Sequence, residues 1–268
     1  MRAAVLGSPV AHSLSPVLHT AAYRALALEG WSYGLHECDE AALPAFVAGL
    51  GPEWAGLSLT MPLKRVALEV ADDVDGLAAA IGAANTLVLR GPRTAYNTDV
   101  AGIAAALGPV SGRAVVLGAG GTAQAALAAL RDHGVTDVDV LVRDLDRAAA
   151  LRATAHRLGV SPRITDALSD PRRAGTVMRD AAAVISTLPA GGADALAAPG
   201  TGSVVLDVVY APWPTPFAAA AARAGARVVS GLEVLLHQAV VQVELMTGAP
   251  APLAEMREAL DAAVAARS

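Results

Sequence analysis

The segment RAVVLGAGGTAQAALAALRDHG, residues 113–134, decides the fold of this sequence. It begins with a short apolar run, turns through glycines, and continues as an alanine-rich helix that Gly134 ends. A strand, a glycine turn and a helix of this length form the repeating unit of a doubly wound parallel sheet. The segment therefore predicts an α/β fold.

The glycine turn has the pattern G-x-G-x-x-A, directly after the strand and at the start of the helix. Glycines there allow a tight turn and let the backbone approach a pyrophosphate, which the N–H groups and positive dipole end of the helix bind. The flanking strand and helix favour this interpretation over a plain turn. The turn residues predicted to bind a dinucleotide are Gly118, Ala119, Gly120, Gly121, Thr122 and Ala123.

The next predicted strand, DVDVLVR, should end near the adenosine ribose of a bound dinucleotide, because that contact lies roughly 20 residues past the glycines. An acidic residue there favours the free 2′-hydroxyl of NAD, whereas an arginine favours the 2′-phosphate of NADP. This sequence has both, Arg143 followed by Asp144. The pattern favours NADP and leaves NAD as the less favoured cofactor.

Strands and helices alternate on both sides of this segment, and a glycine- and proline-containing break separates two parts. We predict a substrate-binding domain over residues 1–100, completed by C-terminal helices within 236–268, and a Rossmann-like dinucleotide-binding domain over residues 101–235. The C-terminal helices are expected to pack back on the first domain. In the first helix, Ser15 is predicted as the N-cap and Gly30 as the stop signal.

The composition excludes several classes of protein. A chain with 54% hydrophobic and only 17% charged residues folds, and with 3% aromatics its core must consist mainly of Ala, Val and Leu. A net charge of −5 without a basic run argues against a nucleic-acid partner. The single cysteine, Cys38, allows no disulfide and no CxxC metal pair, so we expect no metal site and a cytoplasmic location.

The sequence also predicts no association with a membrane. No apolar run reaches the length of a membrane span, and the N-terminal residues are typical of a strand and turn rather than of a signal peptide. The expected partner is a small molecule, and the sequence leaves a monomer or a homodimer open.

A candidate for proton transfer lies in SLTMPLKRV, residues 58–66, where Lys64 follows a short apolar run that a proline ends. Hydride transfer to a carbonyl also needs a proton, so one positioned acid–base group is required. Asp99 in YNTDVAG and Asn85 in GAANTL lie at other strand ends, and Thr60 lies on the strand that leads to Lys64. Polar residues at strand ends of one α/β layer can converge on a single crevice. Each of these residues also has a purely structural interpretation, as a helix cap, a turn residue or a surface charge.

Taken together, seven motifs resemble one family. GSPVAHSLSP, SLTMPLK, GAANT, YNTDVAG, LGAGGTAQAA, DVVYAPWPTP and GLEVLLHQAVVQ occur in the order and spacing of the shikimate dehydrogenases, over essentially the whole chain. The lysine, N-T-D and S-x-S-P motifs are together far more specific than the glycine turn. The resemblance implies NADP-linked reduction of 3-dehydroshikimate to shikimate, a step of chorismate and aromatic amino-acid biosynthesis.

The resemblance also implies roles for matching residues. Lys64 would be the acid–base group beside Asp99, and the Ser13 and Ser15 hydroxyls would hold the substrate carboxylate. The residues expected to make further substrate contacts are Thr60, Asn85, Asp99, Tyr210 and Gln238. The residues expected to contact the cofactor outside the glycine turn are Arg143, Thr187, Val208 and Gly231.

The sequence departs from the family pattern at a few positions. Ser58 stands where many members carry Asn, and Glu233 replaces a small residue. Asp144 adjoins Arg143 where NADP-using members often carry Thr or Ser, which leaves the strictness of NADP over NAD open.

Three alternatives follow from these features. An NAD-dependent quinate/shikimate dehydrogenase is favoured by Asp144, whereas serine at both Ser13 and Ser15 favours the shikimate enzyme. A non-catalytic dinucleotide-binding sensor on the same fold would be expected to lack Lys64 or Asp99, and both are present. A methylenetetrahydrofolate dehydrogenase of similar architecture would need a wider cleft lined by aromatic residues.

Overall fold

The chain consists of two compact units. The structure is a computed structural model and describes residues Met1–Arg267. One unit contains Met1–Thr98 together with the chain from Leu235 onward, and the other contains Asp99–Val234. The first unit is therefore discontinuous in sequence, and the second is continuous.

The first unit contains a six-stranded sheet with helices. Its elements are β1 (Arg2–Gly7), α1 (Ser15–Ala25), β2 (Ser32–Glu37), α2 (Leu43–Ala48), β3 (Trp54–Leu59), β4 (Asp73–Val74), α3 (Gly76–Ile81), β5 (Thr86–Val88) and β6 (Thr94–Tyr96). Two further helices near the C-terminus are α9 (Gly231–Thr247), which contains the boundary between the units, and α10 (Leu253–Ala265).

This sheet has the strand order β2-β1-β3-β5-β6-β4 and is mixed. Strands β2, β1 and β3 are parallel, whereas β5 is antiparallel to both β3 and β6. Strands β5 and β6 are antiparallel because only a short loop, with Gly91 at φ +102°, joins them, and parallel strands need a much longer crossover. The sequence pattern did not predict β4 or β6, since both are very short.

Small aliphatic side chains form the core of this unit, as the composition predicts. Leu6, Leu57, Leu63 and Leu87 are fully or almost fully buried together with several alanines. Helix α10 packs on α1, and Met246 of α9 is buried against the sheet. The prediction that the C-terminal helices pack on the first domain is therefore confirmed.

The second unit is built on a parallel sheet. Its elements are α4 (Asp99–Leu107), β7 (Ala114–Leu117), α5 (Gly121–Asp132), β8 (Val138–Leu141), α6 (Ala149–Leu158), β9 (Arg163–Thr165), α7 (Pro171–Met178), β10 (Ala183–Ser186), β11 (Val204–Asp207), α8 (Pro216–Arg223) and β12 (Arg227–Ser230).

The strand order of this second sheet is β12-β11-β10-β7-β8-β9, with every neighbouring pair parallel. From β7 the chain runs outward through β8 to β9, and then returns to β10 on the other side of β7. The order therefore reverses between β7 and β10, which is the place where doubly wound sheets bind their ligands. The predicted Rossmann-like fold is confirmed, and β9 and α7 are additions that the sequence pattern did not reveal.

The prediction for the limits of the first helix is wrong in two details. Helix α1 begins at Ser15 itself, Leu14 is its N-cap, and the Ser13 hydroxyl accepts a hydrogen bond from the Ser15 N–H at 3.2 Å. Leu14 therefore occupies the N-cap position that was predicted for Ser15. The helix ends at Ala25, well before Gly30, because the chain already turns at Ala27, where φ is +51°. Among the described residues, no helix combines the length and apolar character needed to cross a membrane.

Candidate active site

In the first unit, four chain segments meet at one edge of the sheet. The carboxyl ends of the parallel strands β1 and β3 lie side by side, since Leu6 pairs with Leu59. Strand β5 runs the other way, so its first residue, Thr86, pairs with Ser58 of β3 and with Tyr96 at the end of β6. The residues just beyond these ends therefore come together, and they include most of the substrate-binding residues predicted in this unit.

The loops after β1 and β3 lie in direct contact. Ser8 N donates to the Met61 carbonyl at 3.0 Å, and Thr60 N donates to the Leu6 carbonyl at 2.9 Å. Gly7 is required for this approach, because a Cβ at that position would lie 2.9 Å from the Met61 carbonyl oxygen. The contact holds the loop that leads to Ser13 next to the loop that leads to Lys64.

Lys64 is half-buried and lies on the loop after β3. Its carbonyl accepts a hydrogen bond from Ala84 N at 2.8 Å, which joins its backbone to the residue before Asn85. Leu63 N donates to the Thr60 carbonyl at 2.8 Å, so Thr60 and Lys64 belong to one tight turn. The sequence predicted that Thr60, Lys64 and Asn85 converge. The turn and the hydrogen bond from Ala84 N bring the backbones of these three residues together.

Asn85 lies at the centre of a buried group of polar side chains. Its Nδ2 donates to Thr98 Oγ1 at 2.9 Å and to Gln238 Oε1 at 3.3 Å. Its Oδ1 accepts from Thr98 N at 2.8 Å and from Thr86 Oγ1 at 3.0 Å. The structure therefore places Asn85 and Gln238 in contact, although the two residues are far apart in sequence.

Ser13 and Ser15 lie at the N-terminus of α1. The Ser15 N–H donates to the Ser13 oxygen, which leaves the Ser13 hydroxyl proton available to a ligand. The helix has Leu14 at its N-cap without a side-chain cap. The positive end of a helix dipole favours an anion, so this pair of hydroxyls suits a carboxylate.

In the second unit, the predicted cofactor residues lie at the carboxyl ends of parallel strands. The glycine turn follows β7, Arg143 follows β8, Thr187 follows β10, Val208 follows β11 and Gly231 follows β12. Since all five strands are parallel, these residues share one edge of the sheet, on both sides of the point where the strand order reverses.

The glycine turn has the shape that a pyrophosphate needs. Gly118 has φ +107°, and a Cβ there would lie 2.7 Å from Thr187 Oγ1, so only glycine fits. Gly120 and Gly121 are different, because a Cβ at either place would meet no heavy atom of the described residues within 4 Å. The start of α5 is therefore open to a ligand. Its N-cap residue is Gly120, which has no side chain that could bind the N–H groups of the first helical turn.

Arg143 and Asp144 are both exposed at the end of β8. Asp144 Oδ1 accepts from Asp146 N at 2.9 Å, and its other oxygen lies 3.7 Å from Arg147 Nε. The Asp144 carboxylate is thus already engaged by the turn and by a neighbouring guanidinium. Asp144 is therefore a weaker candidate for binding a ribose hydroxyl. Arg147 is a second cation on this surface, beside Arg143.

The loop that carries Val208 and Tyr210 is fixed by a buried carboxylate that sequence reasoning missed. Asp207 Oδ2 accepts from Thr215 Oγ1 at 2.8 Å, and Asp207 Oδ1 accepts from Val209 N at 3.2 Å. Burial raises the pKa of Asp207, and these hydrogen bonds oppose the increase. A Cβ at Gly231 would clash with the Val208 carbonyl, so Gly231 lets the start of α9 lie against this loop.

Asp99 is buried as the first residue of α4 and belongs to the second unit, whereas Lys64 belongs to the first. The pairing of their side chains stays a prediction. Sequence reasoning also left Thr86, Thr98 and Gln242 unassigned, although all three belong to the group around Asn85. Gln242 was the easiest to find, since it lies one helical turn after Gln238 on α9.

Three family models match the chain. One, described as Shikimate dehydrogenase substrate binding domain, matches residues 5–87. A second, Shikimate 5'-dehydrogenase C-terminal domain, matches residues 231–260. A third, Saccharopine dehydrogenase NADP binding domain, matches residues 114–240. The matches correspond to the first sheet, the C-terminal helices and the second sheet, respectively.

Individual proteins are similar over nearly the whole length. A shikimate dehydrogenase (NADP(+)) of Natronomonas pharaonis is 37% identical over 270 residues, which cover 96% of this chain and 97% of that protein. The crystal structure of Mycobacterium tuberculosis shikimate dehydrogenase is 49% identical, with a TM-score of 0.87 and coverage of 98% and 99% of the two chains.

A third similar protein is shikimate 5-dehydrogenase from Thermus thermophilus, solved in complex with NADP(H) and shikimate. It is 34% identical, with a TM-score of 0.83, and the match covers 98% of this chain and 99% of that chain. Sequence identity of this level over both complete units, with the same fold, leads to one conclusion: the chain belongs to the shikimate dehydrogenase family.

Proposed function

We propose that this chain catalyses the reversible reduction of 3-dehydroshikimate to shikimate with NADPH, a step of chorismate and aromatic amino-acid biosynthesis. The observation that carries the proposal is the convergence of Thr60, Lys64, Asn85 and Gln238 at one sheet edge in a member of this family. A polyhydroxy acid needs many short donors and acceptors, and this edge supplies hydroxyl, amide and ammonium groups.

The substrate carboxylate binds at the start of α1. The Ser13 and Ser15 hydroxyls donate to it, and the positive end of the helix adds a favourable field. The ring hydroxyls bind to Thr60, Asn85 and Gln238. Each of these groups would lose a hydrogen bond with an analogue that lacks the matching hydroxyl, which makes the site selective.

Lys64 is the acid–base group of the reaction. In the direction of reduction, its ammonium gives a proton to the carbonyl oxygen as that oxygen becomes an alcohol, and in oxidation its amine takes the proton back. Asp99 is proposed as the second catalytic residue, acting together with Lys64. In the proposed site, Tyr210 makes a further hydrogen bond to the substrate.

NADPH, when bound, supplies the hydride that reduces the substrate carbon. The open backbone at Gly120 and Gly121 binds the pyrophosphate, with Gly118, Ala119, Thr122 and Ala123 shaping the turn. Arg143 contacts the 2′-phosphate. Thr187, Val208 and Gly231 lie at the nicotinamide half of the proposed cofactor site.

The preference for NADP over NAD is supported by charge. Arg143 and Arg147 present two exposed guanidiniums, and the Asp144 carboxylate is engaged by Asp146 N and Arg147. A charge-assisted hydrogen bond is worth about 1.5–3 kcal/mol, so one contact to the 2′-phosphate favours NADP by roughly tenfold or more in kcat/KM. We place the enzyme in the cytoplasm, as a monomer or a homodimer.

Four initial rates test the proposal: oxidation of shikimate and of quinate, each with NADP and with NAD. We expect shikimate with NADP to give the highest kcat/KM. A higher value for quinate with NAD would support the alternative that Asp144 suggests. Binding of NADP without turnover of either acid would instead indicate a non-catalytic sensor.

A further inference from the structure

A chain of buried hydrogen bonds runs from the core of the first unit to Asn85. Gln242, on α9, is its centre and is only 1% exposed. On one side Gln242 Oε1 lies 2.8 Å from Ser58 Oγ and 3.2 Å from His19 Nε2. On the other side, Gln242 Nε2 lies 2.9 Å from Thr86 Oγ1 and 3.3 Å from the Asn85 carbonyl oxygen.

The partners fix which way round the Gln242 amide lies. A backbone carbonyl can only accept, so the group that faces the Asn85 carbonyl must be the amide nitrogen. The amide oxygen then faces His19 and Ser58 and accepts from both. Tyr33 O–H donates to Ser58 Oγ at 2.6 Å, which leaves the Ser58 proton to point at Gln242.

The surroundings of the His19 ring also indicate that His19 donates to Gln242 Oε1. It is fully buried and stacks on Tyr33, with ring centroids 4.0 Å apart. Its Nδ1 has no hydrogen-bond partner within Met1–Arg267, so the proton lies on Nε2 and points at Gln242 Oε1. Burial lowers the pKa of His19 to about 4, which keeps the ring neutral at physiological pH.

The donors and acceptors can also be assigned on the other side of Gln242, towards Asn85. Because Thr86 Oγ1 accepts from Gln242 Nε2, its own proton is available to Asn85 Oδ1, 3.0 Å away. Gln242 therefore holds Asn85 at two points: directly at the backbone carbonyl and, through Thr86, at the side-chain oxygen. With Oδ1 engaged by Thr86 and Thr98, Asn85 Nδ2 donates to Thr98 Oγ1 at 2.9 Å and to Gln238 Oε1 at 3.3 Å.

We infer that Gln242 and Thr86 are positioning residues that hold the Asn85 amide in one orientation, with its oxygen towards Thr86 and its nitrogen towards Gln238. The inference rests on the proposed function, in which Asn85 and Gln238 bind ring hydroxyls. Neither positioning residue touches the substrate. Their effect reaches it through Asn85, so it concerns binding of the polyhydroxy acid and leaves the dinucleotide unaffected.

The sharpest test removes a single hydroxyl group, that of Thr86, from this chain of hydrogen bonds. Thr86→Val keeps the volume and the β-branched shape but removes the hydroxyl, whereas Thr86→Ser keeps the hydroxyl and removes a methyl group. We expect Thr86→Val to raise both the KM and the calorimetric Kd for shikimate about tenfold, the effect of losing one hydrogen bond. The KM for NADP should change less than about twofold. Thr86→Ser should restore shikimate binding to within about threefold of the wild type.

A double-mutant cycle tests the link to Gln242. Because Gln242→Leu and Thr86→Val break the same chain, the double variant should bind shikimate more tightly than the product of the two single effects predicts. Independent, multiplicative effects would overturn the inference. A Thr86→Val variant with a lowered Tm but an unchanged Kd would also overturn it, because the role would then be structural.

One readout does not depend on the proposed reaction. In 15N spectra of the free protein, the Asn85 side-chain amide signals should shift or broaden in Thr86→Val and stay near their wild-type places in Thr86→Ser. Unchanged signals in both variants would contradict the positioning role. A wild-type chain that neither binds nor oxidises shikimate would refute the proposed function, and the amide signals would still decide the role of Thr86.

Discussion

Replacement of His19 by Phe should make the stability of the first unit much less sensitive to acid. The folded chain holds His19 neutral, with a pKa lowered from 6.5 to about 4 by burial, while the hydrogen bond to Gln242 opposes the shift. In the unfolded chain the ring takes up a proton near pH 6.5. The unfolded state thus binds more protons between these values, and the free energy of unfolding falls as the pH falls.

The size of the effect follows from the two pKa values. A difference of one pKa unit corresponds to about 1.4 kcal/mol, so the full window between pH 6.5 and about 4 is worth about 3 kcal/mol. Between pH 7 and pH 4.5 the wild type should lose about 2 kcal/mol through His19 alone. His19→Phe removes the titrating group and keeps a ring to stack on Tyr33, so this part of the loss should vanish.

The assay is urea unfolding followed by tryptophan fluorescence in a Trp213→Phe background. Trp31 and Trp54 then report only on the first unit, which contains both. His12→Phe, at an exposed histidine of the same unit, is the control, and its free energy of unfolding should fall between pH 7 and pH 4.5 as much as that of the wild type. Equal losses in the wild type and in His19→Phe between pH 7 and pH 4.5 would refute the argument.

Two further predictions concern charge. Lys64→Ala should lower kcat at least about 100-fold with little change in the KM for shikimate, since proton transfer acts in the transition state. Arg65→Ala is the control. Near-normal turnover of Lys64→Ala would show that Lys64 is not the acid–base group. Asp139→Asn should lower the free energy of unfolding by about 2 kcal/mol in urea titrations, because this buried carboxylate accepts hydrogen bonds from two guanidiniums. The exposed Asp137→Asn should cost less than about 1 kcal/mol, and an equal cost would show that burial does not matter here.

The second sheet was predictable because its signals are local. An apolar run, a glycine turn and an alanine-rich helix occur within residues 113–134, and each of them alone indicates its structure. Gly118 shows why the pattern is so reliable: its positive φ and the nearby Thr187 hydroxyl leave no room for a side chain. In contrast, β9 is only three residues long and has too little periodicity to be detected.

The first unit was harder to predict because its details depend on distant residues. Strand β6 has three residues, and its antiparallel pairing with β5 becomes evident only from the short loop between them. Ser15 has the residue type of an N-cap, yet Ser13 already occupies its N–H. A capping preference is a weak local signal, and here the N-cap is Leu14, which has no capping side chain.

The group around Asn85 shows the limit of motif reasoning. Asn85 and Gln238 were both assigned from motifs, but nothing in either motif indicates that the two side chains touch. The spacing of Gln242 from Gln238 is visible in the sequence, but its partners are not, because His19, Ser58 and Thr86 come from three separate segments. Such a chain of contacts follows only from the fold, so sequence reasoning could assign Asn85 and Gln238 but not the residues that connect them to the core.

The interrupted first unit has a consequence for how the protein is made. His19 leaves the ribosome 223 residues before Gln242, the partner it needs in the core. At about 5–20 residues per second, translation delays that contact by roughly 10–45 s. The continuous unit, Asp99–Val234, emerges completely within this interval. While the nucleotide-binding half emerges, the substrate-binding half, begun earlier, therefore still exposes an incomplete core to chaperones and proteases.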